Sequence, residues 1–246
     1  MKKSPLYGPG NEERLVALIS KESSLKMATF PETVSYFYNF LRFDNEDEPT
    51  KDLISRLGLG WNSSYYDGLR AYTGILWDME QSRAHIFDTS NEPLAFFNYL
   101  SKRDREIIVR EIKESNRIRE SIPFRDIPIC GDDYSISIGS MEGDFFLTAL
   151  AGGSEGVNKL KKTLLRYGKS YLDVSLPPIF NKPELCEQIE ITKSIYLNHN
   201  TDFLVSLLRL KSGLGIDDPN AQMNLRVDAC IYNGKIKGNV LGVEKP

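Results

Sequence analysis

Residues 133–175 read DYSISIGSMEGDFFLTALAGGSEGVNKLKKTLLRYGKSYLDVS, and the reading of this stretch decides the fold. Tyr134–Gly139 and Phe145–Leu150 predict two strands joined by a turn at Met141-Glu142-Gly143-Asp144. A glycine-rich elbow follows, Gly152-Gly153-Ser154-Glu155-Gly156, with Ser154 placed to cap a helix. That helix runs over Ser154–Tyr167. Val157, Leu160, Leu164 and Tyr167 form its inner face, and Lys159, Lys161, Lys162 and Arg166 its outer one. Tyr171–Leu176 predicts a buried strand, stopped by Pro177-Pro178.

N-terminal to this stretch the patterns look helical. Residues 4–10 form a turn-rich lead-in. Asn11 can cap a helix with Leu15, Leu18 and Ile19 along one face. Pro31–Leu41 predicts a second helix with an aromatic face at Val34, Phe37, Tyr38 and Leu41. Phe43–Pro49 reads as an acidic loop and residues 50–57 as a short helix. Residues 63–80 predict a longer helix through Tyr65, Leu69, Tyr72, Leu76 and Trp77; Gly68 and Gly74 each weaken it by about 1 kcal/mol and imply a close neighbour. Arg83–Phe87 suggests a short strand, Glu92–Leu100 a helix, and residues 102–120 a charge-rich helix with Ile108, Val109 and Ile112 as its apolar stripe.

C-terminal to it, Pro183–Ile191 predicts a helix, and Thr201–Leu210, apolar nearly all round, a central one. The chain ends on a predicted hairpin, Met223–Tyr232 and Lys235–Val243 about Asn233-Gly234, because both central residues of such a turn need positive φ. The fold class expected is α+β: a helical N-terminal half packed on a mixed α/β C-terminal half with about five strands. The pattern changes near residue 122, giving a helical subdomain over 1–122 and an α/β subdomain over 123–246.

The chain has 246 residues, 41% hydrophobic and 26% charged, with a formal net charge of -3. That suits an ordinary globular core and excludes a chain that binds nucleic acid by bulk charge. The longest apolar runs, such as Phe203-Leu204-Val205, fall far short of the roughly 18 residues of a membrane span, so no membrane partner is expected. Cys130, Cys186 and Cys230 are widely spaced and odd in number, the usage of a reducing, cytoplasmic compartment.

The glycine elbow is the first candidate site. Backbone N–H groups at the start of a helix suit an anion, so Gly152, Gly153, Ser154, Gly156 and Lys159 are the expected contacts of a phosphate-bearing ligand. The spacing matches neither the phosphate loop Gly-x-x-x-x-Gly-Lys-Ser/Thr nor the dinucleotide fingerprint. The structural alternative is a tight turn. Gly131-Asp132-Asp133 pairs two carboxylates before a strand, but Phe145–Leu150 offers neither an acid nor a lysine for a metal-dependent nuclease. His85 falls in the short strand and reads as structural; His199 precedes the apolar Thr201–Leu210 segment and reads as a loop or capping residue.

The predicted order of hairpin, strand, glycine turn, helix and strand resembles the topology of N-acetyltransferases that bind acetyl-coenzyme A, over this stretch alone. The family's turn reads Arg/Gln-x-x-Gly-x-Gly/Ala, whereas Ala149, Leu150 and Ala151 precede the glycines here. The resemblance implies a transferase with a phosphate-containing cofactor.

Residues 102–119 carry one basic face, balanced by acids. A second, 159–169, lies near Tyr167 and Tyr171 and could meet nucleic acid. Aromatics spread around Phe37-Tyr38-Asn39-Phe40 exceed one helix face. The leading expectation is therefore an interaction or assembly protein, with a protein partner or a second copy on an aromatic-rich helical surface. A cofactor-binding transferase and a nucleic-acid-binding accessory protein are the alternatives.

Overall fold

The computed structural model describes residues 6–42, 69–89, 94–127, 133–166, 169–177, 202–213, 224–229 and 238–245. The expectations for 43–49, 50–57 and 183–191, and those on Asn233-Gly234, His199 and the three cysteines, lie outside the described residues. The strands are β1 (Leu6–Gly10), β2 (Leu25–Met27), β3 (Leu69–Asp78), β4 (Arg83–Asp88), β5 (Ile118–Pro123), β6 (Asp133–Ser137), β7 (Tyr171–Ser175), β8 (Phe203–Gly213), β9 (Asn224–Asp228) and β10 (Gly238–Glu244). The α-helices are α1 (Glu12–Ser20), α2 (Phe30–Arg42), α3 (Lys102–Glu114), α4 (Phe145–Ala151) and α5 (Ser154–Arg166).

The sheet follows the path β1-β10-β3-β8-β9-β7-β6, with β2 joined to β10, β4 to β3, and β5 to β4. This overturns the expected α+β arrangement with a helical front half. Strands from the front of the chain lie in the middle of the sheet, and the helices are distributed along the chain.

Residues 69–78 and 203–213 account for the error. Both are strands, paired antiparallel with Leu76 opposite Val205 and Trp77 opposite Leu204. Each is covered on both faces. In β3, Leu69, Ala71, Ile75 and Trp77 join the large core, while Leu76 faces a second cluster with Phe87, Phe97, Val109 and Ile112. In β8, Leu204, Leu208 and Leu210 join the first cluster and Val205 the second. A strand buried on both sides loses its alternation and reads as a continuous apolar run, which periodicity cannot separate from a buried helix. The close neighbour expected of Gly74 exists across the strands: a Cβ there would stand 2.5 Å from the Phe87 ring.

Other elements match their local signals. Asn11 caps α1, its side chain accepting from Arg14 N at 3.1 Å, with Leu15 and Ile19 buried. α2 opens on a capping box: Glu32 Oε2 accepts from Thr29 N at 2.8 Å and from its hydroxyl at 2.9 Å. Strands β4, β6 and β7 lie where expected. The charge-rich helix stops at Glu114, and Ile118–Pro123 leaves it to become β5 along β4. Glu92–Leu100 yields a 3-10 turn over Leu94–Tyr99. There Asn98 clamps β8, its Nδ2 donating to Val205 O at 2.8 Å and its Oδ1 accepting from Val205 N at 3.0 Å.

Two more expectations are corrected. Phe145–Leu150 is helix α4, capped by Asp144, whose Oδ1 accepts from Leu147 N at 2.7 Å. An N-cap carboxylate outweighs the β preference of a short aromatic run. The described parts of the two predicted hairpin strands do not pair with each other: β9 lies between β7 and β8, while β10 pairs with β1, β2 and β3. Among the described residues no helix is long and apolar enough to cross a membrane.

Candidate functional site

The glycine elbow joins helix to helix, so the strand that the acetyltransferase topology places before it is absent from that position. Gly152 ends α4 in the left-handed region at φ 78, and Gly153 follows at φ 105. Their amides are spoken for: Gly152 N donates to Ala149 O at 3.3 Å and Gly153 N to Thr148 O at 2.8 Å. Gly153 O accepts from Val157 N at 3.2 Å, so Ser154 is the first helical residue and not the cap. Gly156 is buried where a Cβ would lie 1.9 Å from Ala151 O; only a residue without one lets the two helices approach so closely. Lys159 turns to Glu155 at 2.7 Å and to the Ser35 hydroxyl at 3.3 Å.

The lysine face of α5 is similarly engaged. Lys161 pairs with Glu142 at 2.9 Å, and Lys162 sits 5.8 Å from the centroid of the Tyr38 ring. The aromatic face of α2 is partly used in the same way, since Phe37 is buried in the core and half-buried Tyr36 packs against it.

A polar corner stands out elsewhere, at the end of the central strands. Register places Phe203, Asp78, Arg83 and Pro123 in one row across β8, β3, β4 and β5. The next row on the same face, two residues along, is Val205, Leu76, His85 and Ser121. Residues opposite one another share a sheet face, and Leu76 and Val205 fix that face as the one that α3 covers. Asp78 is fully buried beneath the helix. Its Oδ2 accepts from Lys113 Nζ at 2.6 Å, and its Oδ1 accepts from Gln81 N at 2.9 Å, tying the β3–β4 turn to the strand. Lys113 also lies 4.9 Å from the centroid of the Phe203 ring. Arg83 forks onto Ser121, donating to its hydroxyl at 2.8 Å and its carbonyl at 2.6 Å.

His85 sits in this corner with its Nε2 at 3.6 Å from Asp78 Oδ2, longer than a hydrogen bond. Burial pushes its pKa down, the neighbouring cations Lys113 and Arg83 add to that, and Asp78 opposes them; the net shift is downward. The unfolded chain therefore takes up a proton near the ordinary value of 6.5 that the folded chain refuses. Stability from this group is complete above that pH and declines as pH falls through the lowered folded value. Stability therefore rises with pH across the interval between the two values. Denaturant titrations between neutral and mildly acidic pH should show this slope in the native chain and lose it in His85→Gln.

A surface cavity of about 10 Å³ opens beside the corner, lined by Lys102, Arg105, Glu106, Asp202 and Phe203. Lys102 spans two acids on its rim, Asp202 at 3.2 Å and Glu106 at 4.0 Å. Arg105 is only 6% exposed. Its Nη1 is buried and has no hydrogen-bond partner among the described residues.

Of this corner, sequence reasoning singled out His85 alone. Asp78 lay in an apparent helix, and Arg105 and Lys113 on an apparently solvated one. The signal available was Asp78-Met79-Glu80-Gln81-Ser82, polar turn residues between two apolar runs.

No family model matches the chain, and no curated protein does. In structure it is similar to a nanoarchaeal protein described by the words "Accommodation of massive sequence variation in Nanoarchaeota by the C-type lectin fold", with a TM-score of 0.52 and 11% identity, over 99% of this chain and 98% of that one. That likeness, extending from end to end at so low an identity, is one of fold: the architecture is of the C-type lectin type.

Proposed function

We propose that the chain is an interaction protein whose contact region is the polar corner between the β3–β4 turn, α3 and the start of β8. One observation carries the reading. Segments far apart in sequence, Lys102–Glu106 and Asp202–Phe203, converge on an open cavity lined by Arg105, one of whose nitrogens is buried with no hydrogen-bond partner among the described residues. Concave sites with a few converging polar groups are where ligands bind. The nanoarchaeal protein supports it by analogy: its fold is described as accommodating massive sequence variation, and a framework that holds while its surface changes suits recognition. The widely spaced cysteines favour a reducing, cytoplasmic setting for that role.

A photo-crosslinker at exposed Ile107 on α3, compared with one at exposed Leu165 on α5, tests the reading alongside size-exclusion chromatography with light scattering. A partner, or a second copy, crosslinked from position 107 and not from 165 is the expected result. A strictly monomeric chain with no crosslink from either position would overturn it.

A phosphate-bearing cofactor at Gly152–Gly156 is a second reading; Arg119 Nη1 lies 3.5 Å from where a Cβ on Gly152 would stand, and such a ligand would have to share it with Asp88, 3.1 Å from Arg119 Nε. Thermal shift with coenzyme A derivatives and nucleotides decides it: stabilisation is expected, and the absence of any retires it.

A further inference from the structure

Two basic side chains converge on one oxygen in the polar corner. Asp78 Oδ1 is taken by the turn amide Gln81 N, which leaves Oδ2 as the shared atom. Lys113 Nζ donates to it at 2.6 Å, and His85 Nε2 stands 3.6 Å away. That Nε2 is buried and has no hydrogen-bond partner among the described residues. Arg83 also bears on the imidazole, but the hydroxyl and carbonyl of Ser121 hold it, so it does not compete for Asp78. Ser121 on β5 and Phe203 on β8 share this face of the sheet and carry no charge.

A neutral imidazole leaves this arrangement undisturbed, whereas an imidazolium does not. Its Nε2 proton needs an acceptor, and Asp78 Oδ2 is the carboxylate oxygen in front of it. Two cations drawn onto one buried oxygen lie close together and repel strongly where water is scarce. Asp78 is fully buried and the His85 side chain is 8% exposed, whereas Lys113 is 30% exposed and has water to move into. We propose that protonation of His85 displaces Lys113 from Asp78 and so unlatches the C-terminal turn of α3 from β3, while the sheet stays folded. The start of the helix keeps its own tie, Lys102 to Asp202 at 3.2 Å, which confines the opening to the far end. Burial keeps His85 neutral at ordinary pH, so the latch is closed there and opens in acid.

Amide exchange of the whole chain, followed by nuclear magnetic resonance from neutral to mildly acidic pH and corrected for the intrinsic rate, tests the latch. The chain has two histidines, so the imidazole titration of His85 is read in the same samples and assigned with His85→Gln. Protection over residues 111–115 should fall about ten-fold or more, the worth of a hydrogen bond to a charged group, with the midpoint of His85. The strand amides of Leu76 and Val205 should lose less. The fall should vanish in His85→Gln. It should also vanish in Lys113→Gln, where His85 still titrates but no cation is there to expel. Equal losses in helix and strands would mean plain destabilisation and overturn the proposal. So would a fall that persists in either variant, protection that holds while His85 titrates, or global unfolding before His85 takes its proton. Should the variants fail to fold, the side-chain εCH2 resonances of Lys113 in the native chain decide: they must move with the His85 midpoint, and a fixed signal contradicts the latch. The exchange is read on the isolated chain, so its failure leaves the crosslinking test of the contact region standing.

Discussion

Gly156→Ala is expected to lower the melting temperature by about 6–12 °C. Alanine normally improves a helix by about 1 kcal/mol over glycine. Here the new methyl would lie 1.9 Å from Ala151 O and 2.8 Å from its carbonyl carbon. Backbone cannot swing aside as a flexible side chain can, so α5 must shift against α4. Overpacking of this kind costs about 1–3 kcal/mol, and a backbone clash belongs at the upper end. For a chain of this size each 1 kcal/mol moves the midpoint about 2–4 °C. Gly143→Ala is the matched control: no atom lies within 4 Å of its Cβ position, so its midpoint should hold or rise slightly. Differential scanning calorimetry on both variants reads the contrast.

Asp78→Ala is expected to cost about 3 kcal/mol. It removes the acceptor of Lys113 and of Gln81 N together. Breaking a buried ion pair by deleting one partner costs about 3–5 kcal/mol; Lys113 is 30% exposed and keeps some access to water, which places the loss at the low end. Lys113→Met in the same chain should recover part of it, because the stranded ammonium goes too. Urea midpoints for the four chains of this cycle give the coupling, expected at about 1–3 kcal/mol. Additive losses would mean that the pair contributes nothing specific.

What the sequence disclosed was local. The Asn11 cap, the amphipathic periods of α2 and α5, and the strands at β4, β6 and β7 are written in residues within a few positions of one another. What it concealed depends on cover from a distance. Leu76 and Val205 are apolar because α3 lies over them, and Trp77 and Leu204 because the large core lies under them. No local window holds both facts. The parallel pairings of β10 with β3 and of β9 with β7 are equally non-local, and so Asn233-Gly234 suggested a hairpin between strands that pair elsewhere.

The candidate site was hidden for the same reason. Asp78 meets Lys113 only once β3 is a strand beneath α3. Arg105 becomes unusual only once its burial is known, since on a charge-rich helix it looks like any solvated base. By contrast, the glycine elbow was visible at once, and much of its conspicuousness comes from packing: a left-handed cap at Gly152 and a close helix approach at Gly156.

The account stands on Leu69–Asp78 and Phe203–Gly213 being the paired central strands. Nuclear Overhauser contacts on the isotope-labelled chain test that pairing most directly. Cross-strand contacts joining Leu76 with Val205 and Trp77 with Leu204, with slow amide exchange along both segments, are the predicted result. Strong contacts between successive amides from 69 to 78, the signature of a helix, would contradict it.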